Sequence, residues 1–330
     1  MNRRNKILIT RKIPQSVYGL LQKYFHVAVF GEDGPIKKTE LIRAVKDKMG
    51  LISLLTDNID KEIIESAPLL RIIANYAAGY NNIDIAEATK RGIMVTNTPD
   101  VLTETTAELT FGMIIAVARR IAEAERFLRK GKFKGWAPML FLGNDVHHKT
   151  IGIIGMGRIG RAVASRARGF GMQIFYYDRI RLSMKQEKIL SLHYKPIDYI
   201  LKNADFITIH TPLTKETYHL FSQREFNLMK KTAFIINTAR GPIIDEKALI
   251  KALKNKKIAG CALDVFENEP KVSEELLKMD NALLLPHIGS ATLETRTNMA
   301  LVCAQNLITA LIKNKIPPNL VNPEVIRGKN

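Results

Sequence analysis

Residues 150–160 read TIGIIGMGRIG, and their surroundings decide the fold. Ile151–Ile154 is an apolar run of strand length. Gly155-Met156-Gly157-Arg158-Ile159-Gly160 is a G-x-G-x-x-G turn, and Arg161–Phe170 has helical spacing. A second strand-like run, Gln173–Tyr177, ends in Asp178, eighteen residues beyond Gly160. Strand, glycine turn, helix, strand and terminal carboxylate form the full context that a dinucleotide-binding fingerprint needs. Gly155 permits the tight turn, Gly157 lets the backbone approach a pyrophosphate, and Gly160 lets the helix pack against the strand. The helix start offers N–H groups and partial positive charge to phosphate. Asp178 suits the adenosine ribose hydroxyls and repels a 2′-phosphate, which favours NAD. Arg179 and Arg181 stand directly after it and could hold that phosphate instead, so NADP is the alternative.

Outward from this turn the pattern continues. Downstream strands are expected at Asp205–His210, Ala233–Asn237, Gly260–Asp264 and Ala282–Leu285. A last helix over Leu293–Lys313 returns to the first domain, and an extended tail follows through Ile316-Pro317-Pro318. Upstream, strands at Lys6–Thr10, His26–Phe30, Gly50–Leu55, Arg71–Asn75 and Ile93–Thr96 alternate with helices at Val17–Tyr24, Lys38–Lys48, Lys61–Ser66 and Ile85–Arg91. Thr98-Pro99 breaks that series. Thr103 is placed to cap one long helix, Glu104–Arg129, which Gly131 ends, and Gly131–Asn144 is a loop. Strands separated by helices imply parallel pairing with right-handed crossovers, hence two doubly wound α/β domains. Ligands in such sheets sit beyond the carboxyl ends of the strands. Two strand ends echo each other, Asn75-x-Ala77-x-Gly79 and Asn237-x-Ala239-x-Gly241.

Composition narrows the class. A chain of 330 residues suits two domains, and 46% hydrophobic with 25% charged residues is ordinary for a globular protein. No apolar run approaches the ~20 residues of a membrane span. The basic start Met1–Lys6 precedes only Ile7-Leu8-Ile9, which is no signal-peptide core. The two cysteines, Cys261 and Cys303, read as reduced core thiols, and a cytoplasmic location is expected. Net charge is +18, but the basic residues are scattered, as at Lys37-Lys38, Lys230-Lys231 and Lys254–Lys257. Without a basic block or an aromatic-interleaved stripe, a nucleic-acid partner is not expected.

Hydride transfer to a carbonyl asks three things of a protein: a cation for a substrate carboxylate, an acid for the developing alkoxide, and a group that keeps the acid charged. Three segments just after expected strands carry such groups. Arg240 in Asn237–Gly241 can bind a carboxylate through two bonds. Leu263–Pro270 offers several carboxylates, with Glu269 constrained by Pro270. His287, in Leu285–Ser290, is the natural acid near neutral pH, and a neighbouring carboxylate would favour its charged form.

With these segments in hand, the chain resembles the D-isomer-specific 2-hydroxyacid dehydrogenases from about Ile7 to Val325, on Gly155–Gly160, Asn237–Gly241, Leu263–Pro270 and Pro286–Ser290. The resemblance implies a flavodoxin-like substrate-binding domain (1–101 and 289–330) and a Rossmann NAD(P)-binding domain (102–288), with substrate bound between them. It implies that Arg240 binds the substrate carboxylate, that Glu269 pairs with His287, and that His287 is the acid/base. Ala78 and Gly79 match a backbone loop that also receives the carboxylate. Arg158, Ile159, Arg179, Thr238, Ala239, Asp264 and Gly289 join Gly155, Gly157, Gly160 and Asp178 as expected cofactor contacts, Asp264 near the nicotinamide carboxamide. Within the family the likeness is to glyoxylate and hydroxypyruvate reductases, carried by Asn75–Asp84, Thr96–Val101, Gly135–Pro138 and Phe141–Gly143. A small 2-oxo acid substrate, no membrane, and a homodimer are implied. Leu140 stands where some relatives have a second tryptophan, and Trp136 is either a packed loop aromatic or a substrate or subunit contact. Phosphoglycerate dehydrogenase is a competing activity, although its long forms carry a C-terminal regulatory domain for which this sequence leaves no room. The activity of a 2-ketogluconate reductase and the role of an NAD-sensing transcriptional corepressor compete as well.

Overall fold

The computed structural model describes residues 4–31 and 34–327, and the basic start Met1–Arg3 lies outside them. Along the chain, β1 (Lys6–Ile9), α1 (Gln15–Gln22), β2 (His26–Val29), α2 (Lys38–Val45), β3 (Gly50–Ser53), α3 (Lys61–Glu65), β4 (Ile72–Asn75), α4 (Ile85–Lys90) and β5 (Met94–Thr96) come first. Two helices follow, α5 (Thr103–Ala118) and α6 (Ile121–Arg129). Next come β6 (Thr150–Ile154), α7 (Arg158–Gly169), β7 (Gln173–Tyr177), α8 (Met184–Leu190), β8 (Leu192–Tyr194), α9 (Ile197–Asn203) and β9 (Phe206–Ile209). Then α10 (Gln223–Leu228), β10 (Phe234–Asn237), α11 (Glu246–Lys254), β11 (Gly260–Leu263), α12 (Glu274–Leu277) and β12 (Ala282–Leu284) complete the second series. The chain closes with α13 (Leu293–Leu311) and α14 (Glu324–Arg327). It divides into two compact units, Met1–Leu102 with Ser290–Asn330, and Thr103–Gly289.

In the first unit five parallel strands run in the order β2-β1-β3-β4-β5, the flavodoxin-like arrangement. The inner strands β1, β3 and β4 are buried on both faces, as parallel sheets demand, while the edge strand β2 is exposed to half-buried. Ile7, Ile9, Ile52 and Ile72 pack one face against Met299, Cys303 and Leu307 of α13. Leu8, Leu51, Ile73 and Val95 pack the other against Leu41, Ile63 and Ala88.

In the second unit seven parallel strands run β12-β11-β10-β9-β6-β7-β8. The order reverses between β6 and β9, where a doubly wound sheet opens its ligand crevice. Ile154, Ile207, Ile209 and Ile235 pack one face with α9 to α11 residues such as Ile200, Phe226 and Leu249. Ile151, Ile153, Ile174 and Ile236 pack the other with Phe111, Ile114 and Val163.

Three sequence expectations need correction. The single helix expected over Glu104–Arg129 is two, because Arg120 adopts a left-handed backbone with φ 55°. Asn144 N donates to the Ala118 carbonyl at 2.8 Å, taking an acceptor that a continuous helix would use. A Cβ at Gly143 would sit 2.4 Å from that carbonyl oxygen, so glycine there permits the approach. Strand β8 has no counterpart among the expected strands; three residues at a sheet edge are too short for a periodic signal. The tail is not extended throughout: α14 adds a helical turn, and Leu320 bridges Thr96 antiparallel. Both cysteines are buried and unpaired, and burial raises both thiols, Cys261 to about 12. Among the described residues no helix is long and apolar enough to cross a membrane, and no cluster of three His, Cys, Asp or Glu could hold a metal ion.

Candidate active site

Arg240, Glu269 and His287 follow β10, β11 and β12, three adjacent strands whose parallel pairing brings their carboxyl ends to one rim. Leaving a strand strips the backbone of its ladder partners, and at β10 a buried asparagine replaces them. Asn237 Nδ2 donates to the Arg240 carbonyl at 2.8 Å, and its Oδ1 accepts from Ala239 N at 2.9 Å. This sharp turn presents the Arg240 side chain. The next residue must be glycine, because a Cβ at Gly241 would lie 1.9 Å from the Phe266 carbonyl carbon. The Arg240 turn and the Glu269 loop therefore touch through bare backbone.

Glu269 is held at both oxygens. Oε1 accepts from Phe266 N at 3.0 Å, and Oε2 lies 2.8 Å from His287 Nδ1. Burial raises its carboxyl, but the His287 bond and charge, the Phe266 N–H and Arg240 outweigh it and hold Glu269 below the usual carboxylate range. Burial lowers the Arg240 guanidinium, and Glu269 opposes that shift. His287 itself sits in the left-handed region at φ 55°. Asp264 stabilises that conformation from the end of β11: Oδ1 accepts from Ile288 N and Oδ2 from Gly289 N, both at 2.7 Å. Burial pushes the Asp264 carboxyl up in spite of these two bonds.

The glycine turn lies at the carboxyl end of β6 in the same unit. Gly155 has φ 97°, and a Cβ there would lie 2.6 Å from the His210 carbonyl carbon. A Cβ at Gly160 would lie 2.2 Å from the Gly155 oxygen, so close packing of α7 requires glycine. Gly157, the residue before α7, differs: a Cβ would meet nothing within 4 Å. Nothing in the fold demands glycine there, which fits a cradle whose filling group is a bound pyrophosphate. Arg158 and Ile159 open α7, the first exposed and the second half-buried. Asp178 does more than the sequence suggested. Its Oδ2 accepts from Met156 N at 2.7 Å and its Oδ1 from Ile180 N at 3.2 Å, so it ties the glycine turn to the end of β7.

Thr238 is buried and shares a 2.8 Å hydrogen bond with Thr110 of α5. Ala239 is half-buried beside it, and a Cβ at Gly289 would come 3.2 Å from Asp264 Oδ2. Ala78 and Gly79 lie in the first unit, past β4. Their carbonyls accept from Asn97 Nδ2 at 2.6 Å and Asn75 Nδ2 at 2.9 Å. Sequence reading missed His219, Glu246 and Glu267. Glu267 and Glu246 each accept the other's backbone N–H, at 3.0 and 3.3 Å, and His219 Nε2 lies 2.9 Å from Glu267 Oε1. His219 N also donates to the Pro242 carbonyl at 2.9 Å, so this cluster braces the Arg240 and Glu269 segments from behind. Only Glu267 had a visible signal, its place in Leu263–Pro270; nothing local marks His219. Trp136 is 85% exposed and is therefore not a packed loop aromatic.

Comparison with known proteins places the whole chain beside characterised folds and sequences. The family model described as D-isomer specific 2-hydroxyacid dehydrogenase, NAD binding domain, matches residues 111–289. A glyoxylate reductase of Pyrococcus horikoshii is 52% identical over 326 residues, covering 98% of this chain and 97% of its own. A crystal structure of a Thermus thermophilus protein superposes with a TM-score of 0.90 at 40% identity, over 96% of this chain and 99% of that one. An NADPH-dependent glyoxylate/hydroxypyruvate reductase of Sinorhizobium meliloti, solved with NADP and malonate, gives 0.86 at 32% identity, over 98% of both chains.

Proposed function

The chain belongs to the D-isomer specific 2-hydroxyacid dehydrogenase family, whose members reduce 2-oxo acids with NAD(P), and on that premise we propose that its substrate is glyoxylate or hydroxypyruvate. The observation that carries the residue roles is the 2.8 Å contact between His287 Nδ1 and Glu269 Oε2 beside Arg240. Arg240 receives the substrate carboxylate, and a cation fork orients a planar anion better than a point charge would. Ala78 and Gly79 stand as further carboxylate contacts on family resemblance. Gly155, Gly157, Gly160, Arg158 and Ile159 hold the pyrophosphate end of the cofactor, Asp178 the adenosine ribose, and Thr238, Ala239, Asp264 and Gly289 line the nicotinamide end.

A reduced nicotinamide, when bound, would supply the hydride for the carbonyl carbon. As the carbonyl bond opens, His287 gives the proton on Nε2 to the oxygen, leaving a 2-hydroxy acid and a neutral imidazole. Glu269 accepts the hydrogen bond from Nδ1–H throughout and orients the ring for the transfer. Solvent then restores the proton; the His287 side chain is 25% exposed, enough for water to reach it.

The deciding experiment is spectrophotometric. Glyoxylate, hydroxypyruvate, 3-phosphohydroxypyruvate and pyruvate are each offered with NADH and with NADPH. Fast oxidation with either of the first two supports the reading. Turnover confined to 3-phosphohydroxypyruvate or pyruvate overturns the substrate choice and leaves the family chemistry intact.

We also read the protein as a homodimer. Loop residues Phe133, Trp136, Met139 and Leu142 are 53 to 85% exposed, an apolar surface costly to leave in water. Light scattering giving the mass of two 37.2 kDa chains supports this, and a monomer mass overturns it.

A further inference from the structure

Asp178 is followed by two arginines, and the structure treats them differently. Arg179 is exposed, its charge is felt at Glu216, and it makes no ion pair among the described residues. Arg181 is locked into a fork. Its Nε donates to Glu187 Oε1 at 2.8 Å and its Nη2 to Glu187 Oε2 at 2.9 Å. The fork is built in from beneath. Glu187, on α8, is buried, and Tyr176 Oη donates to its Oε1 at 2.6 Å. Tyr176 is wholly buried in β7, and its oxygen accepts from Leu182 N at 3.0 Å, so the loop after Asp178 closes on the same tyrosine. Arg181 Cζ also lies 5.3 Å from the centre of the Tyr194 ring, within cation–π range. The Arg181 and Tyr176 bonds hold the Glu187 carboxyl at about 2, so the carboxylate stays charged at neutral pH.

Position makes this consequential. Arg181 follows Asp178 by three residues, at most about 11 Å of chain, and Leu182 N is tied back to Tyr176 of β7, which keeps the segment near the end of that strand. A guanidinium near that rim is the group that accommodates a 2′-phosphate. The fork uses the Nε–Nη2 edge of the guanidinium, one of the two edges that can form paired bonds to phosphate, and turns the group toward α8.

We propose that Glu187 is a specificity-determining residue: by holding Arg181 in a two-bond fork against α8, it withholds the cation that would receive a 2′-phosphate and biases the site toward NAD(H). The proposal rests on the reading of Asp178 as the ribose contact. Arg179 is then the cation that serves the residual binding of NADP(H). Arg181, itself exposed, stays turned toward α8 until its carboxylate partner is neutralised.

The test is equilibrium binding of NADH and of NADPH, followed by fluorescence, with no turnover required. R181A should leave the NADPH-to-NADH affinity ratio within about 1.5-fold of wild type, while R179A weakens NADPH by up to about fivefold, the upper end for one exposed charged contact. E187Q, which removes the charge and keeps the shape, should tighten NADPH about three- to tenfold and leave NADH unchanged. The double variant E187Q/R181A should lose that gain. A fivefold or greater loss of NADPH affinity in R181A alone overturns the proposal, because Arg181 would then already be reading the phosphate. An unchanged ratio in a folded E187Q also overturns it. Should E187Q melt early, the contrast between R179A and R181A decides by itself. D178S separates the premise from the proposal: it should tighten NADPH, and if the ratio does not move, the ribose reading fails whatever Glu187 does.

Discussion

Two strands of this molecule end in the same five-residue pattern, and the turns they make carry different loads. At β4, Asn75 Nδ2 donates to the Gly79 carbonyl at 2.9 Å; at β10, Asn237 Nδ2 donates to the Arg240 carbonyl at 2.8 Å. Both asparagines are wholly buried, and each gives a departing backbone a partner just where the sheet stops supplying one. The first turn is braced by neutral groups. Ser53 Oγ donates to Asn75 Oδ1 at 3.1 Å, and Asn82 Nδ2 donates to the Leu54 and Asp57 carbonyls, both at 3.0 Å. The second turn sits among charges: Arg240 itself, Glu269 and, behind it, Glu246 and Glu267. A neutral frame suits the role proposed for the first turn, offering backbone to an anion. A charged frame suits one that must hold a guanidinium and an acid in register. One local device thus serves two purposes, and the neighbouring strands decide which.

The comparison breaks most visibly at the chemistry. His287→Ala should cut turnover by about 10²–10⁴ while NADH binding persists, because it removes the proton donor and leaves the glycine turn intact. If turnover survives within tenfold, the charged rim is not the reacting one. The asparagines should separate next. Asn237→Ala leaves Ala239 N–H and the Arg240 carbonyl without their partner, at about 1–3 kcal/mol per orphaned group, and should lower kcat/KM about 10- to 100-fold. Asn75→Ala should cost comparable stability but act mainly through KM, since it loosens a binding turn and no reacting group. Thermal melts beside steady-state kinetics check both, and equal kcat losses would erase the distinction.

A pH profile sharpens the charged side. Glu269 stays ionised to below the usual carboxylate range, so a carboxylate faces the proposed proton donor His287 at neutral pH. Reduction needs that proton and falls as pH rises through the inflection of the pair. Glu269→Gln should therefore move the inflection of the pair to lower pH. An unmoved inflection would strip Glu269 of its role. The smallest expected effect is Gly241→Ala, which must push the Phe266 backbone away from a 1.9 Å overlap and should cost about 1–3 kcal/mol in stability. Stability within experimental error of wild type would show that the two segments do not need to touch.

Much of this fold is legible in the residues alone. Strong periodic runs such as Ile151–Ile154 and Ala233–Asn237 reveal themselves, since a buried parallel strand is apolar along its whole length. The break at Arg120 is not legible, because its cause is Asn144 and Gly143, more than twenty residues away. Strand β8 is not legible because three edge residues carry no period. In the site, Arg240, Glu269 and His287 can be named because each follows a strand and bears chemistry that transfer to a carbonyl requires. The tie from Asp178 to the glycine turn and the bracing by His219 cannot, since both depend on backbone N–H groups that sequence does not aim.

By itself, then, the sequence determined the alternation of strands and helices, the glycine turn with its downstream carboxylate, and the identity of the groups able to act as cation, acid and partner. These are matters of periodicity and residue type, and they are local. Only the tertiary structure decided that β10, β11 and β12 lie side by side, that His287 reaches Glu269 at 2.8 Å, and that Arg181 faces Glu187 while Arg179 does not. Those outcomes depend on strand order and on which neighbour a long side chain meets. They are set by packing among segments far apart in the chain.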